Sequence, residues 1–481
     1  MNMETPPLNW NNLLSDKRQR SSTSSTNPPI VRNAFEADYD RIVGSSSVRR
    51  LQDKAQVFPL QENDVARTRL THSIEVSALA RSLGKAVGRQ LEEKKIFSAE
   101  QTDQLASLLQ VAGLIHDLGN PPFGHYGETV IRNWYSSWFK RQSDTDRLTK
   151  QQMNDFLFFD GNVQNLRIVT KLQTQNDIYG ANFTYATLGT IMKYPWASDQ
   201  IPEGEKKFGY FASEESIVQD IRRTLGLGKN VRHPATYLLE AADDIIYLCD
   251  DIEDGVKKGY IKWDDEFQSL EQKLTSEKLR TLFQDIHKKD DSIHPNMDAA
   301  EQQIARSRNF RNLVQGFLFK EAISAFIRNY DKIMSNQYLP KFELLGEQKE
   351  FTEALQDITA RNCFGCREVL SLELSGESII NGLLERFVPV LAETPGSTLI
   401  NTRTYPGKLF QLISRNFVFI ALYAQESTSE TQSAICKEIL SEKLDSLSLY
   451  ARLQLATDFI AGMTDSYAFH LYQELAGIKR P

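Results

Sequence analysis

Apolar residues recur at intervals of three and four along most of this chain, and that spacing limits the fold more than any other feature of the sequence. The pattern is clearest in residues 74–95, 103–118, 235–254 and 451–475, where it is typical of amphipathic α-helices. The alternation that marks β-strands is scarce and leaves room only for a two-stranded excursion near residues 206–212. No segment repeats at a fixed period, so a solenoid is not expected. The sequence therefore predicts an all-α fold.

The composition indicates a globular protein whose main task is not to coat duplex DNA. Of the 481 residues, 41% are hydrophobic and 25% are charged, enough for one large core or two ordinary ones. The formal net charge is −7, whereas covering duplex DNA requires a broad cationic surface. A local basic pocket for phosphates remains compatible with this charge. The sequence contains neither a secretory signal pattern nor an apolar run approaching the roughly 20 residues needed to cross a bilayer, so we expect a cytoplasmic protein.

Changes in polarity along the chain predict three regions. Residues 1–33 are polar and rich in Ser and Thr, so we expect a flexible arm. The charged stretch at 284–298 separates a region at 34–290 from another at 291–481. Because apolar residues are spread evenly across both, we expect them to pack together rather than to fold independently. The basic residues of the arm, expected in a solvated tail rather than on nucleic acid, are Lys17, Arg18 and Arg20.

The four cysteines, at positions 249, 363, 366 and 436, are too few for a disulfide framework and indicate a reducing compartment. Cys363 and Cys366 form a CxxC motif, which can be a redox pair or half of a zinc site. No second CxxC and no nearby His pair completes it. Ordinary buried thiols are therefore the favoured interpretation.

Two histidines lie in unusual stretches, His72 in RTRLTHSIEV and His116 in GLIHDLGNPPFGHYGE. Asp117 follows His116 directly, at a position where the Gly and Pro residues that come next must end a helix. Asp243 lies in LLEAADDIIYLCDDIED, on the same predicted helix face as Tyr247 and Asp251. Nitrogen and carboxylate oxygen ligands together suit a divalent ion that keeps open positions for water and a phosphate oxygen.

Each of these residues taken alone has an ordinary explanation. A lone His near a helix start is more often a cap or a core residue, and neighbouring Asp residues are usually exposed to solvent. The combination changes this balance, because a His, a His-Asp pair and a distant Asp all lie in apolar helical surroundings where unpaired charge is costly. The sequence therefore favours a metal site.

Longer stretches around these residues carry a resemblance to a known family. Together they resemble the HD-domain superfamily and, more closely, the bacterial dGTPase family. The resemblance implies an all-α HD-domain helical core with additional C-terminal helices, with residues 34–290 as the catalytic core and residues 291–481 completing the nucleotide pocket. The stretches that match are DYDRIVGSSSVRRLQDKAQVFPL, RTRLTHSIEVS, LIHDLGNPPFGHYGE, GNVQNLRIVTKLQ, MKYPW, KKFGYF, RHPATYLLEAADDIIYLCDDIEDG and DFIAGMTDSYA.

The resemblance implies one divalent metal ion per active site, with Mn or Mg favoured and Fe, Co or Ni left open. It also implies that His125, held by Glu128, lies beside the α-phosphate; the sequence leaves open whether His125 acts as an acid or as a base. The implied metal ligands are His72, His116, Asp117 and Asp243.

The implied reaction is hydrolysis of dGTP, and of other dNTPs, to a deoxynucleoside and intact triphosphate. Triphosphate requires fixed cations, and deoxyribose selection requires crowding at C2′ with hydrogen bonds at the 3′ hydroxyl. The residues implied for the phosphates are Arg69, Lys193 and Lys207, with Asn162, Tyr194 and Arg452 as supporting contacts. Those implied for the sugar are Tyr247, Asp251 and Gln56, and those for the base are Val57 and Glu385.

The resemblance also implies a homo-oligomer, typically a hexamer, and it leaves open a regulatory nucleotide or single-stranded DNA. The lack of a long apolar run predicts no membrane association. Two alternatives remain open: an HD-domain phosphodiesterase or nuclease, and a catalytically idle regulator that binds nucleotide or DNA. The lysines in MKYPW and KKFGYF favour a triphosphate. A P-loop is excluded because GLGLGKN lacks the required spacing.

Overall fold

The computed structural model describes residues 6–20, 32–56, 67–142, 145–173, 178–423 and 437–478. The all-α prediction is confirmed, because this part of the chain forms helices and contains only isolated β-bridges. The helices are α1 (Trp10–Leu13), α2 (Ala34–Val43), α3 (Ser46–Arg50), α4 (Arg69–Glu93), α5 (Ala99–Ile115), α6 (Gly124–Arg141), α7 (Lys150–Leu157), α8 (Gly161–Arg167), α9 (Tyr185–Ile191), α10 (Glu215–Leu225), α11 (Pro234–Lys257), α12 (Trp263–Lys273), α13 (Glu277–Asp290), α14 (Ala299–Arg328), α15 (Tyr330–Ile333), α16 (Lys349–Thr359), α17 (Arg367–Glu393), α18 (Gly396–Leu399), α19 (Tyr405–Phe410), α20 (Arg415–Tyr423), α21 (Lys437–Ser446), α22 (Leu449–Ala461) and α23 (Asp465–Leu475).

Where the sequence allowed two strands near residues 206–212, the structure has a single parallel bridge, between Ala197 and Tyr210. Two π-helical segments, Ile168–Leu172 and Ala360–Phe364, extend α8 and α16. No helix in the described ranges is long and apolar enough to span a bilayer.

Helices α4 and α5 form a close antiparallel pair that brings the start of one beside the end of the other. Glycine permits this approach: a Cβ on Gly113 would lie 2.7 Å from the Cα of Ser77. A Cβ on Gly84, nearer the other end of the pair, would lie 2.9 Å from the Cα of Ala106. The start of α4 therefore lies beside the end of α5.

Helix α11 packs against α4 and α5, and α14 packs against both α11 and α4. His233 caps the start of α11, because its Nδ1 accepts a hydrogen bond from the amide of Ala235 at 3.1 Å. Across the predicted boundary near residue 290, Arg311 on α14 forms an ion pair of 2.6 Å with Glu253 on α11. The segments before and after that boundary are therefore in direct contact.

The N-terminal segment differs from the flexible arm that its composition predicts. Residues 6–20 pack on the helical core, with Trp10 and Leu13 buried and the Trp10 indole donating to the Tyr330 hydroxyl at 3.0 Å. Arg18 is not in a solvated tail: it pairs with Asp38 and donates to the Asn182 carbonyl at 2.7 Å. Apolar anchors and one buried ion pair hold this segment. Residues 1–5 and 21–31 lie outside the described residues.

The cysteines of the CxxC motif lie at the end of the second π-helical segment, where Cys363 is buried and Cys366 half-buried. Burial raises the pKa of the Cys363 thiol to about 12, so this thiol is protonated at neutral pH. Cys249 is also buried with a free thiol, and Cys436 lies outside the described residues.

Candidate active site

His72, His116, Asp117 and Asp243 converge where α4, the end of α5 and the middle of α11 meet. Ligand atoms of His72, His116 and Asp117 all lie within 4.8 Å of one another. Asp243 reaches both histidines, with its Oδ1 3.1 Å from Nε2 of His72 and 3.4 Å from Nε2 of His116. Residues 171 positions apart thus form one cluster of nitrogen and oxygen ligands.

His116 supplies the test of whether this cluster fits a metal ion. Its Nδ1 lies 2.8 Å from the Gly113 carbonyl, and because a carbonyl only accepts, Nδ1 carries the hydrogen. Its Nε2 faces the cluster, is buried, and has no hydrogen-bond partner among the described residues. A divalent cation can take the place of the proton on this buried nitrogen, between two carboxylates and a second histidine.

The histidines and carboxylates of the cluster shift one another's pKa values. Burial lowers the pKa of His116, but the carboxylates of Asp243 and Asp117 outweigh it and raise this pKa to about 9. Burial opposes ionisation of Asp117, yet Arg69 and the histidines hold its pKa below the usual range. Asp243 likewise has a lowered pKa, because His116 and His72 overcome its burial. Both carboxylates are therefore ionised and available as ligands.

Arg69 and Asn120 fix the orientation of Asp117. Arg69 Nη1 lies 2.6 Å from Asp117 Oδ2, and the Asn120 amide donates to Asp117 Oδ1 at 2.6 Å. Arg69, implied for phosphate binding, is thus paired with a cluster carboxylate, and its buried Nε has no partner among the described residues. Asn120 was not singled out from sequence, although its place three residues after Asp117 in HDLGN was a usable signal.

His125 lies in the first turn of α6, which begins just after Phe123 with its left-handed φ of 61°. Its imidazole is 75% exposed, and Nδ1 lies 3.4 Å from Oε2 of Glu128, a long hydrogen bond. Glu128 is only 4% exposed and accepts from the Gly161 amide at 2.8 Å. The structure therefore couples an accessible imidazole to a rigidly held carboxylate.

A second group of side chains places cations around the Tyr194 ring. Lys207 lies 6.0 Å from the ring centroid and pairs with Asp160 at 2.9 Å, and Asp160 also accepts from the Asn162 amide at 2.8 Å. Lys193 lies 3.4 Å from Glu240. Asp160 and Glu240 were missed from sequence, although Glu240 precedes Asp243 by three positions on the same helix.

Comparison with known proteins identifies the family of this chain. The model of the HD domain family matches residues 69–161, which include the His116-Asp117 pair. A deoxyguanosinetriphosphate triphosphohydrolase-like protein of Listeria innocua is 38% identical over 98% of this chain and 100% of its own length. The chain belongs to the dGTPase-like family of HD-domain phosphohydrolases. A deoxyguanosinetriphosphate triphosphohydrolase of Yersinia enterocolitica is 32% identical over 92% of this chain and 94% of its own length.

In this HD-domain protein, Tyr247 and Asp251 follow Asp243 along α11. The Tyr247 hydroxyl accepts a hydrogen bond from the Gln356 amide. Burial, together with the nearby Asp254, raises the pKa of Asp251 to about 8, so its carboxyl is largely protonated at neutral pH and can donate as well as accept. Gln56 is half-buried, and its buried Oε1 has no partner among the described residues. Val57 lies outside the described residues.

Glu385 and Arg452 are not brought into contact with the other predicted site residues in the described part of the chain. Glu385 is exposed on α17. Arg452 donates from Nη1 to the carbonyls of Leu391 at 2.9 Å and Thr394 at 3.0 Å, which satisfies acceptors at the end of α17. These contacts anchor the Arg452 side chain to the end of α17 in the described structure.

Proposed function

We propose that this protein is a metal-dependent dNTP triphosphohydrolase that converts dGTP, and other dNTPs as further substrates, to deoxynucleoside and intact triphosphate. The observation that carries the proposal is the convergence of His72, His116, Asp117 and Asp243, in which the buried His116 Nε2 makes no well-aligned hydrogen bond among the described residues and lies 3.4 Å from Asp243 Oδ1. The protein names of the relatives, which specify deoxyguanosinetriphosphate, support dGTP as substrate.

In this proposal His72, His116, Asp117 and Asp243 hold one divalent cation, with Mn or Mg favoured. When bound, that cation supplies Lewis-acid chemistry to the α-phosphate and to the attacking water. His125 moves a proton, either from the water or to the departing 5′ oxygen, and its Nδ1 contact with Glu128 orients the ring. The high exposure of His125 leaves its Nε2 accessible to a bound nucleotide.

The remaining site residues serve substrate binding. Arg69, Lys193 and Lys207 offset the charge of the phosphates, with Asn162, Tyr194 and Arg452 as supporting contacts. The Tyr247 ring crowds the 2′ position of the sugar, while Asp251 and Gln56 bond its 3′ hydroxyl. For the base we retain Val57 and Glu385 from the family resemblance. We further propose a homo-oligomer, hexameric as that resemblance implies, which light scattering of the purified protein tests.

Product analysis tests the reaction directly. Purified protein is incubated with Mn²⁺ and each dNTP, singly and with added dGTP, and the products are separated by anion-exchange chromatography. Deoxynucleoside plus triphosphate is the expected result. Monophosphate plus pyrophosphate would move the cleaved bond and overturn the mechanism, and no turnover in any mixture would favour an idle nucleotide-binding regulator.

The metal site has its own test in Asp243→Asn. This variant should lose bound Mn²⁺ and turnover together, because it replaces a carboxylate that touches both cluster histidines with a neutral amide. Asp285→Asn on exposed α13 is the matched control and should keep both. Full metal content in Asp243→Asn would refute the assignment of this ligand.

A further inference from the structure

Glu240 on α11 holds two cations at once. Its Oε2 lies 2.9 Å from Nη1 of Arg232, and its Oε1 lies 3.4 Å from Nζ of Lys193. The carboxylate is only 14% exposed, and the Arg232 guanidinium is 10% exposed. Because both carboxylate oxygens are engaged in an enclosed setting, Glu240 has little freedom to turn away from either partner.

The Tyr194 ring completes this arrangement. The guanidinium of Arg232 lies 6.0 Å from the Tyr194 ring centroid and 5.6 Å from that of Tyr237. Lys207 also lies 6.0 Å from the Tyr194 centroid. Cations near a ring face are attracted by its quadrupole. Arg232 is therefore held by two rings and one carboxylate, and it anchors Glu240.

The neighbours of Lys193 show what this anchoring prevents. Glu240, Asp243 and Asp244 occupy positions i, i+3 and i+4 of α11 and share one face. Lys193 interacts electrostatically with all three carboxylates. A half-buried ammonium seeks a nearby anion, and besides Glu240 the α11 carboxylates that attract Lys193 are Asp244 and Asp243, of which Asp243 touches both cluster histidines.

We propose that Glu240 is a positioning residue that holds Lys193 away from Asp243, so that the lysine is available to the phosphates of the substrate. Arg232, which the family resemblance did not assign, keeps Glu240 in place. This inference rests on the proposed function, because it takes the ligand to be a polyphosphate. Selection of the triphosphate group thus depends on a carboxylate that does not itself touch the substrate.

Steady-state kinetics of Glu240→Gln tests the inference in the full-length protein. The KM for dGTP should rise about tenfold with kcat little changed, since loss of one well-placed charge-assisted contact corresponds to about one decade in binding. Inhibition by inorganic tripolyphosphate should weaken by a similar factor, while inhibition by deoxyguanosine stays unchanged. Glu347→Gln is the control, because the exposed Glu347 pairs with Arg328 at 3.1 Å rather than with Lys193 or Arg232.

A double-mutant cycle separates positioning from general damage. If Glu240 acts through Lys193, Glu240→Gln should change KM much less in a Lys193→Met background than in the wild type. Additive effects in the cycle, or wild-type KM in Glu240→Gln, would overturn the inference. Should Glu240→Gln fail to fold, Glu240→Asp keeps the charge but is too short to reach both cations, and the same comparisons apply.

Mn²⁺ binding measured by calorimetry provides a readout independent of turnover. Glu240→Gln should bind Mn²⁺ more weakly than wild type, because the released Lys193 competes for Asp243, and adding Lys193→Met should restore the affinity. Unchanged Mn²⁺ affinity in Glu240→Gln would refute the inference even in active protein. Failure of wild type to hydrolyse any dNTP would refute the proposed function instead, and the Mn²⁺ comparison would still decide the role of Glu240.

Discussion

Arg167 is the centre of a buried charge network whose removal should destabilise the protein strongly. Its Nε and Nη2 donate to the two oxygens of Asp458 at 2.8 and 2.7 Å, and its Nη1 donates to Glu214 at 2.9 Å. The Arg167 side chain is 4% exposed, and those of Asp458 and Glu214 are 2% and 0% exposed. The network joins α8 to α22, so it connects the early part of the fold to the C-terminal helices.

Arg167→Met keeps most of the side-chain volume but leaves two enclosed carboxylates without their shared cation. Breaking a buried pair by removing one partner costs about 3–5 kcal/mol, and we expect a loss of about that size here. Gln164, which donates to Asp458 at 3.0 Å, and Lys171, which interacts electrostatically with Glu214, limit the loss toward the lower end of that range.

Urea unfolding followed by circular dichroism measures this loss. Arg361→Met is the control, because the Arg361 side chain is 58% exposed and its ion pair with Glu266 should contribute less than about 1 kcal/mol. The double variant Arg167→Met/Asp458→Leu should recover part of the stability, since one unpaired carboxylate is removed together with its partner. A free energy of unfolding for Arg167→Met that matches the Arg361→Met control would refute the reasoning.

Two further predictions concern histidines with opposite environments. Burial lowers the pKa of His233 to about 4, although its Nε2 bonds the Leu13 carbonyl. The pKa of this histidine is near 6.5 in the unfolded chain and about 4 in the folded protein, so between these values the unfolded chain binds more protons. The free energy of unfolding should therefore fall by about 3 kcal/mol as the pH drops from 6.5 to 4. His233→Gln should flatten this dependence in urea titrations at pH 7, 5.5 and 4.5; parallel profiles would contradict the assignment. His125→Ala should lower kcat about 10²–10⁴-fold. Mn²⁺ binding should stay at the wild-type level, because this exposed ring lies outside the ligand cluster. A near-normal kcat would exclude His125 from proton transfer.

Residues 6–20 show where composition alone is a poor guide to packing. Their average composition is polar, and a flexible arm was the natural prediction. Composition describes only the residues of the segment itself. Trp10 and Leu13 are buried by residues distant in sequence, such as Tyr330, which is 320 positions after Trp10. A few anchors suffice to order a polar segment when the core offers a place for them.

The sequence by itself determined the helical class, the end of α5 at the His116-Asp117 pair and the identities of the four cluster residues. Helical periodicity and the breaking of helices by Gly and Pro are local properties, so they can be read from neighbouring residues. The family resemblance implied the residues of the cluster, and the cost of unpaired His and Asp charge in apolar surroundings supported them.

Only the tertiary structure decided which charges are paired. Glu240 with Lys193 and Arg232, Asp160 with Lys207, and the main-chain contacts of Arg452 all depend on how separate helices pack. An ion pair requires two side chains to meet within a few ångströms, and the spacing of residues along a helix does not specify which distant helix supplies the partner. The sequence therefore indicates which His and Asp residues come together, but not the charged groups that position them.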